Sequence, residues 1–181
     1  TFTNKNNTAG VIYIVRDPRD VVISYAKHSS YSIEDCSIDM MTSDNCIFTN
    51  KNLISLLGSW SDHYNSWTKN NKNLLVIKYE DLLSNKKKET TKIINFINNF
   101  INISISNEKI NNCLSSTTFE NMQSMEEKGL FTENNIDEKI GKKIKFFNEG
   151  KKNQWEYILE SKIRMEIEKK FKNEMNELKY I

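Results

Sequence analysis

The chain's only proline, Pro18, falls directly after its most strand-like run. Val11-Ile12-Tyr13-Ile14-Val15 is continuous, apolar and β-rich, the pattern of a strand buried in a parallel sheet. Arg16-Asp17-Pro18 stops it. Proline has no N–H to offer a ladder, but its fixed φ suits the first position of a helix. Asp17 is a good N-cap for that helix. Val21, Val22 and Tyr25 then carry it to about His28. The segment is a strand–turn–helix unit, and the rest of the chain must fit around it.

A second unit of the same kind follows. Leu74-Leu75-Val76-Ile77 reads as another buried strand, closed by Lys78-Tyr79-Glu80-Asp81. A Lys-rich stretch then leads into a helix carrying Ile93, Ile94, Ile97 and Phe100. Between the two units, Leu53, Leu56, Leu57, Trp60, Tyr64 and Trp67 recur at helical spacing and predict one amphipathic helix over 53–68. Residues 29–51 are polar and lack a clean period, which predicts a long loop, with room for a short helical turn, of the sort often used as a lid or gate. Thr117-Thr118-Phe119-Glu120 matches a capping box with Thr117 at the N-cap. Ile158, Leu159, Ile163, Ile167, Phe171, Met175 and Leu178 mark a C-terminal amphipathic helix. The order strand, helix, strand, helix predicts an α/β fold with a parallel sheet, right-handed crossovers and a helix-rich C-terminal half. No repeat or linker interrupts it, so one domain is expected over residues 1–181.

Composition narrows the function classes. A net charge of +2 over 181 residues gives no case for nucleic acid or an anionic membrane. No apolar run approaches the roughly 20 residues of a membrane span, and the start shows no secretory pattern. Cys36, Cys46 and Cys113 are an odd set without metal-ligand spacing, so reduced thiols in a cytoplasmic setting are expected rather than a disulfide frame. Asn, Lys and Ile make up 70 of the 181 residues, and only three of the 26 basic residues are arginine. Two of those, Arg16 and Arg19, share one tetrapeptide. Where lysine is the default cation, a retained arginine points to a need for its planar fork.

Ligands of open α/β sheets bind beyond the carboxyl ends of strands. Arg16 sits at such an end, and Ser24 lies two turns into the following helix. An arginine and a hydroxyl converging there suit a phosphate, the guanidinium by a bidentate charge-assisted contact. Equally, Arg16 can pair with Asp17 or Asp20 and Ser24 can be an ordinary helix residue. The residues alone leave both readings open. Trp60, Tyr64 and Trp67 read as core, Lys86-Lys87-Lys88 as a solvated face, and His28 as a dipole partner at a helix end.

The run from Val11 to Tyr25 resembles the 3′-phosphate-binding segment of cytosolic-type sulfotransferases, whose donor is 3′-phosphoadenosine 5′-phosphosulfate (PAPS). Four further stretches agree in order: Gly58-Ser59-Trp60-Ser61-Asp62-His63, Leu75 to Leu82 with its Tyr79-Glu80-Asp81, Thr117-Thr118-Phe119-Glu120-Asn121-Met122, and Phe146 through Gly150 to Trp155. The resemblance spans nearly the whole chain and implies the P-loop-like sulfotransferase fold, N-terminally incomplete. It implies that Arg16 and Ser24 bind the 3′-phosphate and that Tyr79 lies near the adenine. Thr117 and Phe119 would line the adenine pocket with Met122 behind them, and the Gly150 amide would reach the phosphate, where only a glycine lets the chain approach. It implies no metal, a small-molecule or glycan acceptor bearing a hydroxyl or amine, and transfer of a sulfuryl group. Oligomeric state is left open.

The family's phosphosulfate loop, with its lysine, and its catalytic histidine belong upstream of Thr1. This chain is therefore expected to hold no catalytic residue and, isolated, to be inactive. His63 is read as a structural or pocket residue rather than the base. One departure matters. Where the family has arginine-lysine-glycine, this chain has Asn148-Glu149-Gly150. A charged hydrogen bond is worth about 1.5–3 kcal/mol, so donor binding should weaken unless Lys145, Lys151 or Lys152 substitutes. Two alternatives stand beside the enzyme: a degenerate nucleotide-binding protein of the same fold, and a P-loop kinase-like enzyme.

Overall fold

The computed structural model describes residues 7–48, 54–69, 71–131, 135–137, 141–147 and 149–181. In chain order the elements are β1 (Val11–Val15), α1 (Pro18–Ser29), α2 (Ile33–Met41), β2 (Cys46–Phe48), β3 (Ile54–Leu56), α3 (Trp60–Thr68), β4 (Leu74–Lys78) and α4 (Tyr79–Ser84). They continue with α5 (Lys86–Asn98), α6 (Asn107–Ser116), α7 (Phe119–Glu127), β5 (Asn135–Asp137), β6 (Lys142–Ile144), α8 (Trp155–Ile158), α9 (Ser161–Lys170) and α10 (Lys172–Glu177). They fall into two compact units, one of Thr1–Arg16 with Trp67–Thr132 and one of Asp17–Ser66 with Glu133–Ile181.

The first unit holds the parallel sheet. β1 and β4 pair in parallel, with Val11 opposite Leu74 and Val15 opposite Lys78. Helix α5 packs against β4. Gly10, just before β1, lies so close to α5 and its C-terminal flank that an added Cβ would meet the rings of Phe96 and Phe100 at 2.9 Å. Both predicted strands are present, but β1 is not buried on both faces. Val11 and Val15 are buried, whereas Ile14 is 53% exposed. Successive strand residues point to opposite faces, and one face of this two-stranded sheet is open among the described residues.

The second unit is built on α1. Val22, Ile23 and Ala26 bury one stripe of that helix against Cys36 and Met40 of α2, Ile163 and Ile167 of α9, and Phe171 and Met175. Helix α1 starts as the sequence predicts: the Asp17 side chain caps it by accepting from the Arg19 N–H at 2.9 Å, and Pro18 is its first residue. Arg19 itself is only 4% exposed. Its guanidinium donates from Nε and Nη2 to the two Asp17 oxygens at 3.0 and 2.7 Å, from Nη1 to Glu168 at 2.6 Å, and from Nη2 to the Tyr180 carbonyl at 3.0 Å. Its Cζ lies over the ring of Trp155, 3.7 Å from the centroid. The need for a planar fork is thus met at Arg19 structurally. Further along, Glu174 accepts from Ser61 and Asn65, and Glu177 from the Tyr64 hydroxyl, so α10 and its neighbouring residues pin α3.

Four local expectations need correction. The helix predicted over 53–68 begins only at Trp60; Ile54–Leu56 is a strand paired antiparallel with Cys46–Phe48, and Leu53 lies outside the described residues. The break is at Gly58, whose φ of +64° favours glycine. Ser59 and Asp62 then form a reciprocal cap. Of the residues read as core, Tyr64 is buried but Trp67 is 44% exposed, and Leu56 of the predicted apolar stripe is 81% exposed. The predicted loop over 29–51 contains the nine-residue helix α2, capped by Ser32, besides β2. The N-cap of α7 is Thr118, while Thr117 closes α6 and donates its hydroxyl to the Cys113 carbonyl. The C-terminal helix is three shorter ones, with breaks at Leu159–Glu160 and at Phe171.

Removing one partner of a buried ion pair typically costs about 3–5 kcal/mol, because the others are left uncompensated. Arg19→Met should therefore destabilise the protein by about that amount in urea unfolding, and Arg19→Lys by less, since it keeps the charge but not the fork. Near-equal stability of Arg19→Met and the parent would show that the clamp contributes nothing net.

Candidate functional site

Residues spaced i, i+4 and i+7 share one face of a helix. On α1 these are Asp20, Ser24 and Lys27, a stripe apart from the buried Val22, Ile23 and Ala26. Segment 149–155 lies along this stripe, anchored at both ends. Asp20, 1% exposed, accepts from the Asn153 N–H at 2.7 Å and from the Trp155 N–H at 3.1 Å. Lys27 Nζ donates to Glu149 at 3.2 Å and to Gln154 Oε1 at 3.4 Å. The stretch between the anchors contains Gly150, with φ +61°. Ser24, between Asp20 and Lys27, is exposed, and its hydroxyl makes no hydrogen bond among the described residues. The structure therefore brings together the Ser24 face and the Gly150 segment, two stretches more than 120 residues apart in sequence.

The other singled-out residues lie in the first unit. Arg16 follows β1, half-buried, with its guanidinium carbon 4.7 Å from the centroid of the Tyr79 ring. Tyr79 follows β4 directly and opens α4. The parallel pairing of the two strands sets these residues side by side, and a cation over an aromatic face is attractive. Thr117 is exposed and tied to the first turn of α5, because Lys86 Nζ donates to both its carbonyl and its hydroxyl. Phe119 and Met122, one turn apart on α7 and half-buried, share a face.

Several electrostatic details bear on the departures noted in the sequence. Asn148 lies outside the described residues. Glu149 is not an isolated negative charge: Lys27, and at 3.6 Å Lys151, hold its carboxyl below the ordinary value. His63 sits on α3, and desolvation pushes its imidazole below the ordinary value. Burial pushes the Cys36 thiol up, and all three cysteines are free. Among the described residues no group of His, Cys, Asp or Glu is arranged to hold a metal ion, and no helix is long and apolar enough to cross a membrane.

The sequence marks Ser24 and Gly150 but not the residues that hold segment 149–155 along α1. Asp20 is one of the partners the sequence offers Arg16; in the structure it accepts from the amides of Asn153 and Trp155. A buried aspartate with two amide donors leaves no periodic signature, so only the fold reveals it. Lys27 is likewise unmarked in a chain with so many lysines.

A family model described as "Sulfotransferase domain" matches residues 3–179. Among curated proteins, rabbit (Oryctolagus cuniculus) amine sulfotransferase is 27% identical over an alignment covering 98% of this chain and 58% of that protein. Human (Homo sapiens) sulfotransferase 2A1 is 30% identical, covering 65% of this chain and 40% of that protein. The chain spans about half the length of the curated relatives it matches. Among solved structures, mouse sulfotransferase SULT7A1 complexed with PAP superposes with a TM-score of 0.66 at 23% identity, covering 94% of this chain and 60% of that one. Retinol dehydratase with retinol and PAP gives 0.63 at 21%, covering 92% and 47%. These likenesses show the fold: α/β with a parallel sheet and many helices.

The seat of segment 149–155 is testable by itself. Asp20→Asn removes a charged acceptor worth about 1.5–3 kcal/mol, so the Asn153 or Trp155 amide should exchange with deuterium about tenfold faster or more. Unchanged protection at both amides would mean that the segment is held by other contacts.

Proposed function

The chain belongs to the sulfotransferase family, and from that premise we propose that the full-length protein transfers a sulfuryl group from PAPS to a hydroxyl or amine of a small-molecule acceptor. In this reading the present chain carries the part that holds the adenine and 3′-phosphate end of the donor. The family match runs through both compact units, which supports reading residues 1–181 as one sulfotransferase domain.

The observation that carries the proposal is the α1 stripe, with the exposed Ser24 hydroxyl, unbonded among the described residues, on the face along which the Gly150 segment lies. A phosphate there would take a hydrogen bond from the Ser24 hydroxyl and one from the Gly150 N–H. Arg16, a few residues before Ser24 and at the carboxyl end of a parallel strand, would add its fork. A planar aromatic at Tyr79 and the apolar pair Phe119 and Met122, with Thr117, would form the adenine pocket. This donor chemistry fits a nucleotide anion. PAPS, when bound, supplies the activated sulfuryl group. The chain's own residues fix the far end of that donor, and rigid positioning of a reactant can lower a barrier by several kcal/mol on the order of its lost freedom of motion. No base or sulfuryl-contacting cation is assigned to this chain, His63 included.

For the acceptor, the relatives' names point to small molecules: an amine sulfotransferase in rabbit and a luciferin sulfotransferase in the firefly Photinus pyralis. A cytoplasmic location is proposed on the resemblance to cytosolic-type enzymes and on the three free cysteines. A second reading, nucleotide binding without turnover, draws on Asn148-Glu149. It differs from the first in activity alone.

Arg16→Ala in the full-length protein should weaken binding of adenosine 3′,5′-bisphosphate about tenfold or more, the value of a charged hydrogen bond. Binding of adenosine 5′-phosphosulfate, which lacks the 3′-phosphate, should change little. Equal losses for both nucleotides in calorimetric titration would show that Arg16 does not read the 3′-phosphate.

A further inference from the structure

The 148–150 segment lacks the two cations of the resembled arginine-lysine-glycine pattern and carries a carboxylate in their place. A doubly charged phosphate would meet a net loss of positive charge. Lys145, Lys151 and Lys152, the sequence's own candidates for compensation, are all exposed. Lys27 differs from them. It is 35% exposed and is held by a buried side chain, Gln154, whose Oε1 accepts from its Nζ and whose amide group donates to the Lys151 carbonyl. Lys27 follows Ser24 by three residues, so the two share a helix face. Its other partner is Glu149, the residue next to Gly150. An ammonium has three donors, and among the described residues these two contacts use two.

We propose that Lys27 is a further donor-binding residue. Its ammonium supplies to the 3′-phosphate the positive charge that the resembled pattern draws from residues 148 and 149, and Glu149 is the counter-ion that holds it beside Ser24 and Gly150. The third ammonium hydrogen is left for a phosphate oxygen, and Gln154 keeps the head group from swinging into solvent. Lys27 thereby serves as binding cation and as strut for the segment, and Glu149 tempers the first role while supporting the second.

The proposal rests on the nucleotide-binding reading, and one calorimetric experiment separates the two. The full-length protein, Lys27→Met, Lys27→Arg and Glu149→Gln are each titrated with adenosine 3′,5′-bisphosphate and with AMP, which lacks the 3′-phosphate. Lys27→Met should weaken the bisphosphate about tenfold and leave AMP within about twofold, while Lys27→Arg stays near the parent. Glu149→Gln keeps an oxygen that can accept from the Lys27 ammonium but removes a competing anion, so it should strengthen bisphosphate affinity. Equal effects of Lys27→Met on both nucleotides, or no effect, would overturn the role of Lys27 alone. So would a loss in Glu149→Gln matching that in Lys27→Met, since the pair would then be only a strut. A parent protein that binds neither nucleotide, or binds both equally, would overturn the reading of a 3′-phosphate site on which the proposal rests.

Discussion

The Asp17–Arg19 clamp is the contact on which the second unit depends. One guanidinium closes the N-cap of α1 onto itself, joins it to Glu168 of α9 and to the Tyr180 carbonyl, and lies over the ring of Trp155 in α8. A buried cation is costly unless its donors are satisfied, and here four are placed on acceptors and the flat face on an indole. The start of α1 is thereby fixed against the C-terminal helices. Arg16, which precedes Asp17 by one residue, leaves β1 into a turn whose next residue is held.

From that start, α1 distributes its residues among three tasks. Val22, Ile23 and Ala26 build the apolar core with α2 and α9. Arg19 and Asp17 make the clamp. Asp20, Ser24 and Lys27 form the stripe along which segment 149–155 is laid. A helix can do this because its 3.6-residue period separates faces by angle. The three tasks are coupled, because the helix that the clamp and the core fix in place is the one that presents Ser24.

Much of this was legible in the residues. The strand–turn–helix unit around Pro18 and the second strand at Leu74 appear in place, because a continuous β-branched run and a proline after an N-cap are strong local signals. The ordered motifs led to the family. What failed was register within short elements. Gly58 ends the apparent helical period that Leu53 begins, and a positive-φ glycine looks like any other in a sequence. Thr117 and Thr118 compete for one cap, and the choice depends on where α6 ends. The roles of Asp20 and Lys27 depend on contacts with residues more than 120 positions away, which no local pattern encodes. Arg19 was visible as a retained arginine, but its purpose was not: the fork serves packing, while Arg16 remains the one proposed for the ligand.

The central proposal, carried by the resemblance to the family, is that Arg16 and Ser24 bind the same anion. A crystal structure of the full-length protein with adenosine 3′,5′-bisphosphate tests it most directly. The account predicts the 3′-phosphate within hydrogen-bond reach, about 2.7–3.2 Å, of both the Arg16 guanidinium and the Ser24 hydroxyl. A nucleotide bound elsewhere, or a phosphate that touches one of the two while the other faces away, would contradict it.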